Sequence, residues 1–115
     1  MAQLDRDKVR KEFDHAVNMT ARELEQWLRT EESRKVGWKG AEGNAAESVG
    51  HASGRRIIRI LGKPDQQLTD DDFAHMRKVV GYVHRHSAQR PANIVTSRWR
   101  YSLMNWGHDP LKEDR

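Results

Sequence analysis

Leu68 to Arg90 reads LTDDDFAHMRKVVGYVHRHSAQR, and this stretch decides the fold. At about 100° per residue, Phe73, Met76, Val79, Val80 and Val83 fall within roughly 120° of one another, while Lys78 and Arg85 lie on the opposite side. One long amphipathic helix follows, with an apolar face that other elements must cover and a basic face left outside. Thr69 stands where a hydroxyl can accept a first-turn backbone N–H, and Asp70, Asp71 and Asp72 put negative charge at the positive end of the helix dipole. The helix is expected from Thr69 to about Ala88, and Pro91 keeps the chain from continuing it.

Working outward toward the N-terminus, Val9, Phe13 and Val17 recur every four positions and predict a first helix over 5–18 with a narrow apolar stripe. Thr20-Ala21-Arg22-Glu23 is a capping box, so a second helix should start there and run to about Glu32, burying Leu24, Trp27 and Leu28. From Ser33 to Ser53 the periodicity fails, and Gly37, Gly40, Gly43 and Gly50 interrupt it. This reads as a long glycine-rich loop, with a short helix over 42–49 as the alternative for part of it. Trp38 lies in that loop, and docking of its ring on the helices is favoured over an exposed stacking surface.

Toward the centre, Ser53-Gly54 reads as the start of a third helix that turns Ile57, Ile58, Ile60 and Leu61 inward. Arg55, Arg56 and Arg59 face outward, and a left-handed Gly62 followed by Pro64 closes the helix. Thr96-Ser97 caps a last helix, Arg98 to Trp106, that Gly107 ends. There Trp99, Leu103 and Trp106 share one side while Tyr101 and Met104 lie on another, so the helix needs cover twice: from the core, and from a loop or second subunit. The expected architecture is all-α, one domain over 1–115, a compact bundle of four to five helices with the long glycine-rich loop between helices 2 and 3. Trp27, Phe73, Met76, Val80, Val83, Trp99 and Leu103 are its expected core, and 1–5 and 109–115 are expected to fray.

The chain has 115 residues, 36% hydrophobic and 33% charged, so the core should be thin and rest on four Trp and two Phe. It has no Cys, which excludes disulfide frameworks and thiolate metal sites and fits a reducing compartment. No run approaches the roughly 18 apolar residues of a membrane span, and the first residues lack the apolar core of a signal peptide. A cytoplasmic protein that uses no membrane is expected.

The formal net charge is +4 and unevenly spread. Residues 1–50 carry 9 Lys/Arg against 10 Asp/Glu, whereas 51–115 carry 12 against 7. Within 55–100 the balance is 10 basic against 4 acidic side chains. Such asymmetry calls for an anionic partner on the C-terminal half.

Six histidines raise the question of a metal. His84 and His86 are about 200° apart around their helix, and His75 and His86, which share a side, are separated by roughly 16 Å of rise. No local metal set follows, and no cofactor is expected. No nucleophile sits in a catalytic setting either, since Ser53 in His51-Ala52-Ser53-Gly54 lacks the preceding strand of a nucleophile elbow. The sequence therefore predicts a non-enzyme.

Ser53-Gly54 beside Arg55, Arg56 and Arg59 combines helix-start amides with guanidinium groups able to grip phosphate in a bidentate manner. Lys78, Arg85, Arg98 and Arg100 extend the positive field. The expected function is non-specific binding to the DNA or RNA backbone through these seven residues. The alternative is a protein-interaction or structural module, a homodimer through Tyr101, Met104 and Trp106.

VNMTARELEQWL (17–28), SVGHASGRRIIRIL (48–61), HMRKVVGYVHRH (75–86) and TSRWRYSLMNWGHDPLK (96–112) resemble a small family of bacterial and fungal domains of unknown function. The resemblance covers nearly all of residues 9–112. Members of that family are sometimes labelled DNA-binding protein, which implies the same partner as the charge map. The resemblance brings no assigned catalytic or binding residues.

Overall fold

A computed structural model of the chain describes residues 5–39 and 47–114. The described residues form six α-helices and no strand: α1 (Arg6–Ala16), α2 (Ala21–Leu28), α3 (Glu31–Lys35), α4 (Val49–Leu61), α5 (Asp70–Ser87) and α6 (Arg98–Asn105). Short 3-10 turns occupy Asp65–Gln67 and Pro110–Asp114.

Local side-chain chemistry sets where each helix begins. Asp5, Thr20, Thr30, Ser48, Thr69 and Ser97 each accept a first-turn backbone N–H with a side-chain oxygen, which removes one of the unpaired donors of a helix start. At Thr20 and Thr69 the bond is reciprocated, by Glu23 and by Asp72. Gly107, at φ 81°, lets the backbone reverse after α6, and its carbonyl accepts from Met19 N at 3.1 Å.

The expected face of α5 is buried: Phe73, Met76, Val79, Val80 and Val83. α1 lies along it with Val9 and Phe13 inward, and α2 lies along α4 through Leu24 and Leu28. α6 joins the two pairs, touching α2, α3, α4 and α5. Leu103 on α6 is fully buried, while Trp27 and Trp99 are half-buried at the edge of the core.

The structure corrects three expectations. The second helix does not run to Glu32. Thr30 interrupts it, its hydroxyl donating to Trp27 O at 2.7 Å and accepting from Ser33 N at 3.1 Å, so that α3 begins as a separate turn. The third helix does not open at Ser53-Gly54. Ser48 caps it five residues earlier, and Ser53 and Gly54 lie buried inside α4, so no helix-start amides stand beside Arg55 and Arg56. It ends on a right-handed Gly62, at φ −85°, in place of the left-handed residue expected there.

The glycine-rich stretch is thus helical at both ends, over 31–35 and from Val49, and residues 40–46, with most of the expected 42–49 helix, lie outside the described residues. The tail expected to fray is tied down as far as Lys112. Pro110 is fully buried, and Lys112 Nζ donates to Asn18 O at 2.9 Å and Glu23 Oε1 at 2.6 Å. No described helix is long and apolar enough to cross a membrane.

Candidate functional site

Lys78, Tyr82 and Arg85 on α5 are spaced i, i+4, i+7, so they form a stripe beside the buried one. The stripe faces Ser102 and Asn105 on α6 and Trp106 at its C-cap, and Val49 and Gly50 in the first turn of α4 close a cleft of about 260 Å³ that Gly37 and Trp38 also line. None of the described lining residues is acidic.

Its floor is aromatic. Tyr82 and Trp106 stack with ring centroids 4.4 Å apart and 14° between planes. The column continues to His75 beyond Trp106 (6.2 Å) and to His86 beyond Tyr82 (5.0 Å), and from His86 to Trp99 (6.2 Å). Trp99 is held by an Nε1–H bond to His86 O at 2.6 Å, and the Arg90 guanidinium lies 5.8 Å from its ring centroid. Burial raises the Tyr82 pKa, so its hydroxyl stays protonated, paired with Ser102.

Trp38 was expected to dock on the helices; instead its side of the chain is anchored and its ring is not. Gly37 adopts φ 103° against Ser48, and Trp38 O accepts from Val49 N at 2.9 Å, yet Trp38 is 64% exposed. Val49 at the rim is 42% exposed. A shallower depression continues from the cleft past Trp38 and Tyr82 to His86, Arg98 and Trp99.

The seven basic residues named from sequence divide into two sets. Lys78 and Arg85 line the cleft and Arg98 the depression beside it; with Arg59 on α4, these four are exposed and make no ion pair among the described residues. The other three are engaged. Arg100 is 18% exposed, grips Asp109 with Nε and Nη2 at 3.1 and 3.2 Å, and donates Nη1 to Val95 O at 2.7 Å. Arg55 makes a bidentate pair with Glu47, at 2.8 and 2.6 Å. These bonds, with the His51 contact, hold the Glu47 carboxyl down at about 2. Arg56 reaches Asp72 at 3.4 Å, beside Lys63 at 2.7 Å; the Lys63 bond first and the Thr69 N–H second keep Asp72 well below the usual carboxylate range.

The residues expected at an interface are largely used within the chain. Trp106 is 5% exposed inside the aromatic column, Tyr101 lies against Trp27 with centroids 5.3 Å apart, and Met104 is half-buried on the core.

Three of the histidines, His51, His75 and His108, make side-chain hydrogen bonds. His51 contacts Glu47 through Nδ1 and Leu28 O through Nε2, and His108 Nδ1 donates to Ala16 O at 2.7 Å. Ser53 Oγ lies 2.9 Å from His75 Nε2, the contact from which a nucleophile relay starts, but Ser53 is only 4% exposed and the pair ties α4 to α5. Among the described residues no three His, Cys, Asp or Glu converge as metal ligands.

Sequence reasoning did not single out Gly50 or Tyr82, assigned Trp106 to an interface, and favoured docking for the Trp38 ring that stands open here. The Lys78-Tyr82-Arg85 spacing was a legible signal for one side of the cleft. Arg34, Lys35 and Lys39 were also passed over; they ring a further depression with Ser48 and His51.

Residues 12–104 match the family described as Protein of unknown function (DUF3140). No curated protein and no solved structure matches the chain.

Proposed function

The chain belongs to the DUF3140 family of proteins of unknown function, a membership that assigns no chemistry, and from the cleft and its rim we propose that it binds nucleic acid non-specifically through phosphate contacts. One observation carries this reading: among the described residues, Lys78, Arg85 and Arg98 stand exposed and without ion pairs, around a surface whose cleft has no carboxylate in its lining. A basic rim around a concavity draws polyanions and repels few of their charges. Arg59 adds a contact on α4, Arg55 and Arg56 add to the field from within their ion pairs, and Arg100 serves the fold.

A salt titration of binding to random-sequence duplex tests the reading. Each phosphate neutralised contributes about −0.9 to the log–log slope, so Lys78→Ala, Arg85→Ala and Arg98→Ala should each make the slope shallower by about 0.9 with no change in sequence preference. Absence of binding at about 50 mM salt, where non-specific contacts are strong, would overturn it.

The exposed Trp38 and Val49 favour a second reading, a module for a protein partner or a second copy, the latter drawing also on Tyr101 and Met104. Sedimentation at several concentrations separates them: a concentration-dependent dimer, with no salt-sensitive nucleic-acid binding, selects the second.

A further inference from the structure

We propose that the cleft between Trp38, the Tyr82–Trp106 pair and Gly50 receives one unpaired nucleobase of a single-stranded nucleic acid. The inference rests on the phosphate-binding reading above and adds to it the part of the ligand that the phosphates do not supply.

Five observations support it. The cleft, at about 260 Å³, falls just under the ~300–1,000 Å³ typical of drug-sized sites, which suits one planar ring system and little more. Trp38 offers a ring face that the chain leaves open, at 64% exposure. Tyr82 and Trp106 use faces on each other, so what they turn toward the cleft is ring edge, which bounds a stacked base at the side. Lys78 and Arg85 at the rim then meet the phosphates on either side of the inserted base.

The fifth observation is a hydrogen-bond donor at the cleft wall. Trp106 is 5% exposed, yet its indole Nε1–H makes no hydrogen bond among the described residues. That N–H is not sealed in the core: it keeps solvent contact at the cleft and can donate to a ligand that enters there. Gly50 keeps the space beside that donor open, since a Cβ there would come within 3.0 Å of Trp106 Nε1. A ring nitrogen or carbonyl of a base is an acceptor of the right kind, carried on a planar group that can also lie on Trp38. Bases in a duplex have their faces stacked and their pairing edges occupied, so an unpaired base is the form that enters.

The test measures affinity for three probes of equal length: a single-stranded homopyrimidine, a strand with the same phosphates but abasic sites, and a duplex. Deoxy- and ribo-forms of the first two are run in parallel. Base stacking on an aromatic ring contributes about 5- to 150-fold per base, so the intact strand should bind at least about fivefold tighter than its abasic counterpart in one or both sugar forms. The form that shows the ratio identifies the ligand. Trp38→Ala should bring the ratio close to one and Trp38→Phe should preserve it; the exposure of Trp38 leaves both variants able to fold, as circular dichroism will check.

A ratio of one for the wild type in both sugar forms, with salt-sensitive binding to all probes intact, overturns the base pocket and leaves the phosphate reading standing. So does a Trp38→Ala variant that keeps the wild-type ratio. Loss of binding to every probe overturns the phosphate reading and this inference with it.

Discussion

His75 shows at the scale of one residue how burial turns a surface-type side chain into a structural one. Its ring is stacked 6.2 Å from Trp106 and its Nε2 lies 2.9 Å from Ser53 Oγ. Burial first, and the charges of Arg56 and Lys78 second, push its pKa down to about 4. At neutral pH the imidazole is therefore uncharged, and its Nε2 shares a hydrogen bond with the Ser53 hydroxyl. Between about pH 6.5 and 4 the unfolded chain binds a proton that folded His75 refuses, so its contribution to stability is complete above the ordinary histidine pKa and is lost as pH falls through that window. Burial lowers His86 in the same direction, and the carboxylate of Glu47, held at about 2, loses its contribution only below its ordinary 4.5. The thermal midpoint should thus drop between pH 7 and pH 5. His75→Gln, which keeps an acceptor for Ser53 but cannot titrate, should flatten part of that drop; an unchanged pH profile would show that His75 is solvated.

At the scale of elements, two glycines in helix interiors make opposite predictions. Alanine has the better helix propensity by about 0.8–1 kcal/mol, so on local grounds both Gly54→Ala and Gly81→Ala should stabilise. At Gly54 the added Cβ would lie 2.7 Å from Asn105 O and 2.8 Å from Leu28 Cδ2, where α4 crosses α2 and α6. Overpacking of this kind costs about 1–3 kcal/mol, which exceeds the propensity gain, so Gly54→Ala should destabilise. At Gly81 the nearest atom is Arg85 Nη1 at 3.0 Å, the far end of a flexible side chain that can move aside. Gly81→Ala should therefore stabilise by about 0.5–1 kcal/mol. Denaturant midpoints of the two variants, measured side by side, check the pair; the same sign for both would contradict the packing of α4.

At the scale of the molecule, α6 is the element that makes one body of two helix pairs, and Asn105 is its polar hub. The side chain is fully buried: its Oδ1 accepts from Trp27 Nε1 at 2.8 Å and from the Ser33 hydroxyl, and its Nδ2 donates to Ser33 O at 3.1 Å. One residue thus satisfies α2 and α3 from α6. Truncation leaves buried donors and an acceptor unpaired at about 1–3 kcal/mol per group, so Asn105→Ala should cost about 2–4 kcal/mol, and Asn105→Leu no less despite its greater apolar volume. The ratio of near-ultraviolet to far-ultraviolet circular dichroism gives a second readout, since loosening the hub should release the Trp27 environment while the helices remain. A midpoint unchanged by Asn105→Ala would mean that water satisfies this cluster.

The sequence by itself determined the all-α class, the bounds and buried face of α5, the capping box at Thr20 and the hydroxyl cap at Thr69, because each depends on residues within one or two turns of each other. It also located the basic half of the chain. What only the tertiary structure decided lies between elements. Counting Arg100 with the phosphate ligands overlooked Asp109, nine residues on, and counting Arg55 overlooked Glu47 in the preceding glycine-rich stretch. Trp38 had no periodic neighbours from which docking or exposure could be told. The cleft joins Trp38, Gly50, Tyr82 and Trp106, brought from four separate segments, and nothing in the local spacing of any one of them encodes the others. Helix starts are written in short-range hydrogen bonds; which charges stay free and which rings face solvent depends on packing partners that sequence order does not reveal.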